Sequence, residues 1–189
     1  MRIIAGDLKG FFLHVPKNKN TRPLKDLARE SIFNLLAHSN KIELKLKEAS
    51  ILDLYSGTGS FGLECLSRKA KYVYFVEKDK SAFEILEKNI EKLKVKKKTK
   101  AFFSSVFILL NKSNLILPKF DIIFCDPPFK DSNVENLIDL VFSKNLLKKD
   151  GIIILHRNKN IKENFPNYFN ILDERIYGIS KIIFGKLLS

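Results

Sequence analysis

The sequence has 189 residues, 45% of them hydrophobic, which is enough for one compact domain with its own core. Its 34 Lys and Arg residues outnumber 21 Asp and Glu residues, so the formal net charge of +13 favours a polyanionic partner such as nucleic acid, unless a biased genome alone produces it. No apolar run approaches about 18 residues, which excludes a membrane-spanning helix, and with no signal-peptide pattern and two isolated cysteines, Cys65 and Cys125, we expect a cytoplasmic protein without a metal.

The first 40 residues predict a small N-terminal extension. Two apolar stretches around Gly6–Gly10 predict a short hairpin over residues 2–15. A polar, basic loop follows, and Thr21 and Pro23 favour the start of a helix. The apolar face of that helix is predicted from residues at helical spacing: Leu24, Leu27, Ala28, Ile32, Leu35 and Leu36. Lys25 and Arg29 fall on another face, which is either solvated or turned toward phosphates.

From residue 50 onward, strand-like and helix-like segments alternate. Strands are predicted at 50–55, 72–77, 101–105, 120–125 and 151–156, and helices at 59–69, 81–94 and 133–144. Residues 168–178 and 181–188 predict a terminal antiparallel pair around Gly178. Such alternation is typical of a parallel sheet with helices on both faces. We therefore predict an α/β domain over residues 41–189, preceded by the extension at residues 1–40.

A glycine-rich turn follows the first strand of this domain. Gly57, Gly59 and Gly62 match G-x-G-x-x-G between a strand and a helix, the context in which this pattern binds an adenosine cofactor. Glu77 ends the next strand, where its carboxylate could accept both hydrogen bonds of a ribose diol. NAD and S-adenosylmethionine both fit this pattern. Asp53 would repel the pyrophosphate of NAD and suit the cationic amino-acid part of S-adenosylmethionine, which we therefore favour.

The fourth strand stops abruptly at Asp126-Pro127-Pro128-Phe129. Proline fixes φ, lacks an N–H and holds the preceding residue extended, so this loop is stiff and offers hydrogen-bond acceptors. Such a loop suits a planar ring with an exocyclic amine, because the ring can stack on Phe129 while the amine donates to the Asp126 carboxylate and the Pro127 carbonyl. The amine lone pair would then face the methyl donor, and alignment is the main catalytic effect required. The alternative is a turn that only terminates the strand.

Several motifs occur together in the order found in one family. They are "RIIAG", "RESIFNLL", "DLYSGTGSFGLECLSR", "VEKD" and "DPPF". Together they resemble the RsmD family, the bacterial 16S ribosomal RNA guanine-N2 methyltransferases, over nearly the whole chain. The resemblance implies a Rossmann-like class I methyltransferase fold: a seven-stranded, mostly parallel sheet with an antiparallel last strand, preceded by a hairpin and a helix. It also implies S-adenosylmethionine as the cofactor.

The resemblance also implies roles for individual residues. The cofactor would be bordered by Asp53, Tyr55, Ser56, Gly57, Thr58 and Gly59, with Glu77 on the ribose and Lys78, Asp79, Ser105 and Val106 near the adenine. The guanine would be held by Asp126, Pro127, Pro128 and Phe129. Phosphate contacts are expected from Lys17, Lys19, Arg22, Lys25, Arg29 and Lys130.

The chain departs from the family pattern in three places. Leu24, Lys25 and Leu27 stand where threonine and a further arginine are common, and Ser104–Val106 stand where many relatives have Asn or Asp near the adenine. The fifth strand, which often ends in glutamate, ends here in His156 and Arg157. We expect His156 to be a satisfied surface histidine, and the alternative is a substrate contact.

The function predicted from the sequence is methyl transfer to the N2 amine of a guanine in 16S ribosomal RNA, free or in a small-subunit assembly particle. An adenine-N6 methyltransferase on RNA or DNA stays open as an alternative. An NAD-dependent oxidoreductase and a non-catalytic RNA-binding protein are further alternatives. No heptad pattern demands a dimer, so we expect a monomer.

Overall fold

The computed structural model describes residues 1–16, 26–42, 44–129 and 133–188. Five α-helices and seven β-strands occur in these ranges. The helices are α1 (Asp26–His38), α2 (Ser60–Ser67), α3 (Lys80–Lys92), α4 (Val106–Leu110) and α5 (Val134–Ser143). The strands are β1 (Ser50–Leu54), β2 (Tyr72–Glu77), β3 (Thr99–Phe103), β4 (Phe120–Cys125), β5 (Leu147–Asn158), β6 (Phe169–Tyr177) and β7 (Ser180–Leu187).

The strands form one seven-stranded sheet in the order β3-β2-β1-β4-β5-β7-β6. All neighbouring pairs are parallel except those made by β7, which runs antiparallel to both β5 and β6. This arrangement confirms the predicted mostly parallel α/β sheet with an antiparallel last strand. The strand order reverses between β1 and β4, and ligands of open α/β sheets bind beyond the carboxyl ends of the strands at such a point.

Apolar side chains fill both faces of the sheet, as the near-continuous apolar strands predict. One core cluster packs α1, α2 and α3 against one face, with Phe61 stacked on Phe33 and Phe124. The other packs α4 and α5 against the opposite face. Among the described residues, no helix is long and apolar enough to cross a membrane.

The N-terminal segment is anchored to α2 rather than standing apart from the sheet. The buried Glu64 carboxylate accepts hydrogen bonds from the N–H groups of Ile4 and Ala5, and Ile3 belongs to the core beneath α2. The predicted hairpin is reduced to a single antiparallel bridge between Arg2 and Phe12.

Helix α1 corrects two predictions about side-chain orientation. Its buried stripe consists of Ala28, Arg29, Ile32, Phe33 and Leu36, at the i, i+4 spacing of one helix face. Leu27, predicted on the apolar face, is 66% exposed because it lies one position off this stripe. Arg29, predicted as a phosphate contact, is 0% exposed because it lies one turn before Phe33, and its guanidinium donates to the carbonyl of Arg2 at 2.8 Å.

Candidate functional site

The turn between β1 and α2 is held in a conformation that few residue types adopt. Tyr55, Gly57 and Gly59 all have positive φ, at 61°, 54° and 84°. At Gly59 a Cβ would also lie 2.4 Å from Leu86 Cδ1, so the position requires glycine for two reasons. Tyr55 is a bulky residue in the left-handed region, which costs roughly 1–2 kcal/mol. Strain of this kind concentrates at binding sites, so the turn is a strong candidate for one.

Asp53 lies beneath this turn and is almost fully buried. Its Oδ2 accepts a hydrogen bond from the N–H of Gly62 at 3.0 Å, which ties β1 to the first turn of α2. No described residue is a hydrogen-bond partner of its Oδ1. Burial raises the pKa of Asp53 well above its usual value, and the nearby Asp126 and Glu77 carboxylates raise it further. A cation bound nearby would stabilise the ionised carboxylate, and the predicted cofactor carries such a cation.

Glu77, at the carboxyl end of β2, joins two turns of the site. Its Oε2 accepts from the N–H of Gly57 and its Oε1 from the N–H of Asp79, both at 2.7 Å. Each carboxylate oxygen keeps a further lone pair, so the predicted acceptance of a ribose diol stays possible. Asp79 itself caps α3, where its Oδ1 accepts from the N–H of Ala82 at 2.8 Å.

The loop after β4 lies directly beside the glycine turn. Leu54 and Cys125, the last residues of β1 and β4, are in register, and the N–H of Asp126 donates to the carbonyl of Leu54 at 3.3 Å. Asp126 Oδ1 is hydrogen-bonded to His156 Nδ1 at 2.8 Å. No described residue donates to its Oδ2. The side chain is 22% exposed, so this oxygen is an acceptor that a ligand could reach.

Residues of β5 support the same loop from below. His156 is buried and packs edge-on against Phe129, with ring centroids 5.4 Å apart. The preferred prediction of a surface histidine is therefore wrong, because β7 covers the end of β5. Arg157, fully buried, donates to the carbonyl of Pro128 at 3.3 Å and pairs with Glu163.

The glycine turn and the Asp126–Phe129 loop line one cleft of about 690 Å³, within the range of about 300–1,000 Å³ typical of small-molecule sites. The predicted cofactor residues that line it are Tyr55, Gly57, Glu77, Lys78, Ser105 and Val106, and all four residues of the loop also line it. Asp53, Ser56, Thr58, Gly59 and Asp79 do not line it, although Asp53 and Asp79 are hydrogen-bonded within the turns that form it.

Three residues that line the cleft had no role predicted from the sequence: Val76, Asn158 and Ile161. Ser104, expected near the adenine, and His156, whose alternative prediction was a substrate contact, also line it. Val76 could have been found, because it stands at the carboxyl end of β2 beside Glu77. Asn158 and Ile161 gave no signal, since β5 was predicted to end at residue 156.

Of the six predicted phosphate contacts, the structure describes only Arg29. Lys17, Lys19, Arg22, Lys25 and Lys130 lie outside the described residues, as does Leu24, and Arg29 is buried as described above.

The charge of the cleft is also informative. Asp53, Glu77 and Asp126 make the edge of the sheet acidic, and Lys78 is the one lysine among the described residues that line the cleft.

Comparisons with known proteins agree with this geometry. The sequence model of a family described as conserved hypothetical protein 95 matches residues 1–186. The chain is 33% identical over 179 residues to a Haemophilus influenzae protein named ribosomal RNA small subunit methyltransferase D, covering 95% of this chain and 90% of that protein. It is similar in structure to yhhF of Escherichia coli, a proposed methyltransferase, with a TM-score of 0.85 and 27% identity over 100% of this chain and 98% of that one. It shares its fold with SMU.776, a proposed methyltransferase complexed with SAH, at a TM-score of 0.64 and 18% identity over 82% of this chain and 49% of that one.

Proposed function

The chain belongs to the RsmD family, and we propose that it methylates the exocyclic N2 amine of a guanine in 16S ribosomal RNA. The matching model of this family carries the description conserved hypothetical protein 95. The methyl donor is S-adenosylmethionine. The observation that carries the proposal is the position of the Asp126–Phe129 loop in one cleft with the glycine turn, fixed by the register of Leu54 with Cys125.

The residues present fit S-adenosylmethionine better than NAD. Three carboxylates, Asp53, Glu77 and Asp126, act on the carboxyl edge of β1, β2 and β4, where a pyrophosphate would be repelled. The buried Asp53 Oδ1 lacks a partner among the described residues and would be stabilised by a cationic group. Glu77 would accept hydrogen bonds from the ribose, and Lys78, Ser105 and Val106, which line the cleft, would face the adenine. When bound, the cofactor supplies an electrophilic methyl group on a sulfonium.

The Asp126 loop would hold the guanine. Asp126 Oδ2 and the Pro127 carbonyl are acceptors for the two hydrogens of the amine, and Phe129 offers its ring for stacking. This arrangement turns the nitrogen lone pair out of conjugation with the ring, which makes the amine nucleophilic. Fixed acceptors also stabilise the positive charge that develops on nitrogen during transfer. The guanine must leave any base pair to enter the cleft, so a loop or bulge is the expected target.

The rest of the RNA would be held by electrostatics. The net charge of +13 favours a polyanion, and the extension at residues 1–40 carries Lys17, Lys19, Arg22 and Lys25. Contacts of this kind release counterions, so affinity should fall steeply with salt. We expect the protein to act as a monomer on the RNA or on a small-subunit assembly particle.

Transfer of a tritiated methyl group tests the proposal. The protein would be incubated with labelled S-adenosylmethionine and small ribosomal subunits from cells lacking the endogenous enzyme, and the RNA digested to nucleosides. Label in N2-methylguanosine supports the proposal. Label in N6-methyladenosine keeps the cofactor and moves the substrate to adenine. Absence of both labelling and cofactor binding favours a non-catalytic RNA-binding protein.

A further inference from the structure

His156 joins three parts of the structure that are distant in sequence. Its Nδ1 is 2.8 Å from Asp126 Oδ1 on the loop after β4, and its Nε2 is 2.9 Å from Ser180 Oγ at the start of β7. The imidazole is 6% exposed and Ser180 is also buried. The ring edge also contacts Phe129. One buried side chain therefore touches two of the three groups that the proposed function assigns to the guanine, Asp126 and Phe129.

The partners of the imidazole define where its proton lies. An ionised carboxylate only accepts hydrogen bonds, so Nδ1 must carry a proton to bond Asp126. In the neutral ring Nε2 is then an acceptor, and the Ser180 hydroxyl can rotate to donate to it. Ser180 is therefore compatible with the tautomer that Asp126 needs, and the Asp126 carboxylate is the partner that selects it. A ring with two satisfied nitrogens is held in one orientation, as is common for functional histidines whose second nitrogen is bonded.

Asp126 depends on this bond for its orientation. The residue makes one other hydrogen bond among the described residues, from its N–H to the Leu54 carbonyl at 3.3 Å, and that bond does not restrain the carboxylate. His156 is the described side chain that bonds the carboxylate, and it occupies Oδ1. The bond leaves Oδ2 as the acceptor with no described partner in the cleft. Without it the carboxylate could rotate and offer either oxygen in several directions.

We propose that His156 is a positioning residue for methyl transfer: it holds Asp126 by one oxygen so that the other accepts from the guanine amine, and its ring edge sets the angle of Phe129. The proposal rests on the proposed function for its substrate. Ser180 acts one step further out by bonding Nε2, which holds the imidazole in its orientation.

Two amide variants separate positioning from bulk stability. In H156N the amide nitrogen takes the place of Nδ1 and can still donate to Asp126, whereas in H156Q the same amide is displaced by one methylene. H156Q should lower the single-turnover rate about 10- to 100-fold, the size expected for losing a hydrogen bond to a charged group. H156N should stay within about threefold of the wild type. For both variants, KM for the RNA and Kd for S-adenosylmethionine should change by less than about threefold.

The same pair can overturn the proposal. If H156N and H156Q lose activity equally, with KM and thermal stability moving together with kcat, His156 is only a structural residue. The D126N background supplies a second check. Because the two residues act as a unit, H156Q should add less than about threefold to the loss caused by D126N, and a fully multiplicative loss would contradict the coupling.

A spectroscopic measurement keeps this inference separate from the proposed function. Long-range ¹H–¹⁵N correlation of the wild-type protein reports which imidazole nitrogen is protonated. Proton on Nδ1 supports the proposal even if no variant folds, and a neutral ring protonated only at Nε2 overturns it. Failure of the wild-type protein to methylate guanine refutes the proposed function and the positioning role that rests on it, while the tautomer result still shows whether the imidazole holds Asp126 in this fold.

Discussion

Glu77 offers the sharpest test of how the cleft is built. It has two roles, bracing two turns and accepting from the ribose, and two measurements on one substitution report them separately. Its two oxygens each accept a backbone N–H at 2.7 Å, from Gly57 and from Asp79. Glutamine at this position can accept only one of them, and its NH2 group must face the other N–H. The substitution therefore loses one hydrogen bond to a charged acceptor, and the donor that loses it, on half-buried Gly57 or exposed Asp79, is left to bond water.

The magnitude follows from these contacts. A hydrogen bond to a charged group contributes about 1.5–3 kcal/mol, and the lower end applies here because water can reach the donor that loses its acceptor. For a chain of this length, that corresponds to a fall in Tm of about 2–4 °C for each kcal/mol. If the ribose also donates to Glu77, removing the charge weakens that interaction by about 1.5–3 kcal/mol, which is an affinity loss of about 10- to 100-fold. We expect E77Q to show both effects.

Urea unfolding and calorimetric titration with S-adenosylmethionine measure the two effects. E87Q is a matched control, since Glu87 is an exposed acid on α3, and such surface changes usually stay within about 0.5 kcal/mol. Wild-type stability and affinity in E77Q would contradict both roles assigned to Glu77. Loss of stability with unchanged affinity would leave the carboxylate as a brace between the two turns and remove its ribose role.

Three further predictions follow from other residues of the site and of α1. D126A should lose most turnover in the tritium assay and bind S-adenosylmethionine within about threefold of the wild type, and near-wild-type turnover would remove the role assigned to the loop. Burial raises the pKa of Asp53, so the folded protein binds a proton on this carboxyl more tightly than the unfolded chain does. The free energy of unfolding should therefore decrease as pH rises above about 4, the usual Asp pKa. In unfolding measured across pH, D53N should flatten this decline. R29A should lower the free energy of unfolding by about 2–4 kcal/mol, because Arg29 fills a buried site. It should leave the salt dependence of RNA binding unchanged, and a changed slope would show that Arg29 contacts phosphate after all.

Much of the fold could be predicted because its signals are local. The interior strands β1, β2 and β4 are near-continuous apolar runs, and their predicted bounds agree with the structure to within one residue. Strand β3 was predicted two residues too late, because it lies at the sheet edge, where Thr99 and Lys100 read as loop although they pair with β2. Helix α4 was missed because its five residues, "VFILL", are too few to show helical periodicity.

The site divides along the same line. The glycine turn and the Asp126 loop follow strands directly, so their neighbourhood could be inferred from the α/β pattern. Which predicted residues reach the cleft depends on packing, and so Asp53 and Asp79 prove to be supports rather than lining residues. His156 and Arg29 are the clearest cases of the difference. His156 is covered by β7 and bonded to Ser180, 24 residues away, and Arg29 is covered by the N-terminal segment. Neither environment can be predicted from the neighbouring sequence.

The central claim is that the protein methylates the N2 amine of one guanine. Once the labelled nucleotide is mapped, small subunits can be reconstituted with RNA that carries inosine at that position. Inosine keeps the ring and its stacking surface and lacks only the exocyclic amine. Tritium transfer to this position should disappear while cofactor binding stays unchanged. Transfer to the inosine-containing RNA at the rate of the guanosine RNA would contradict it.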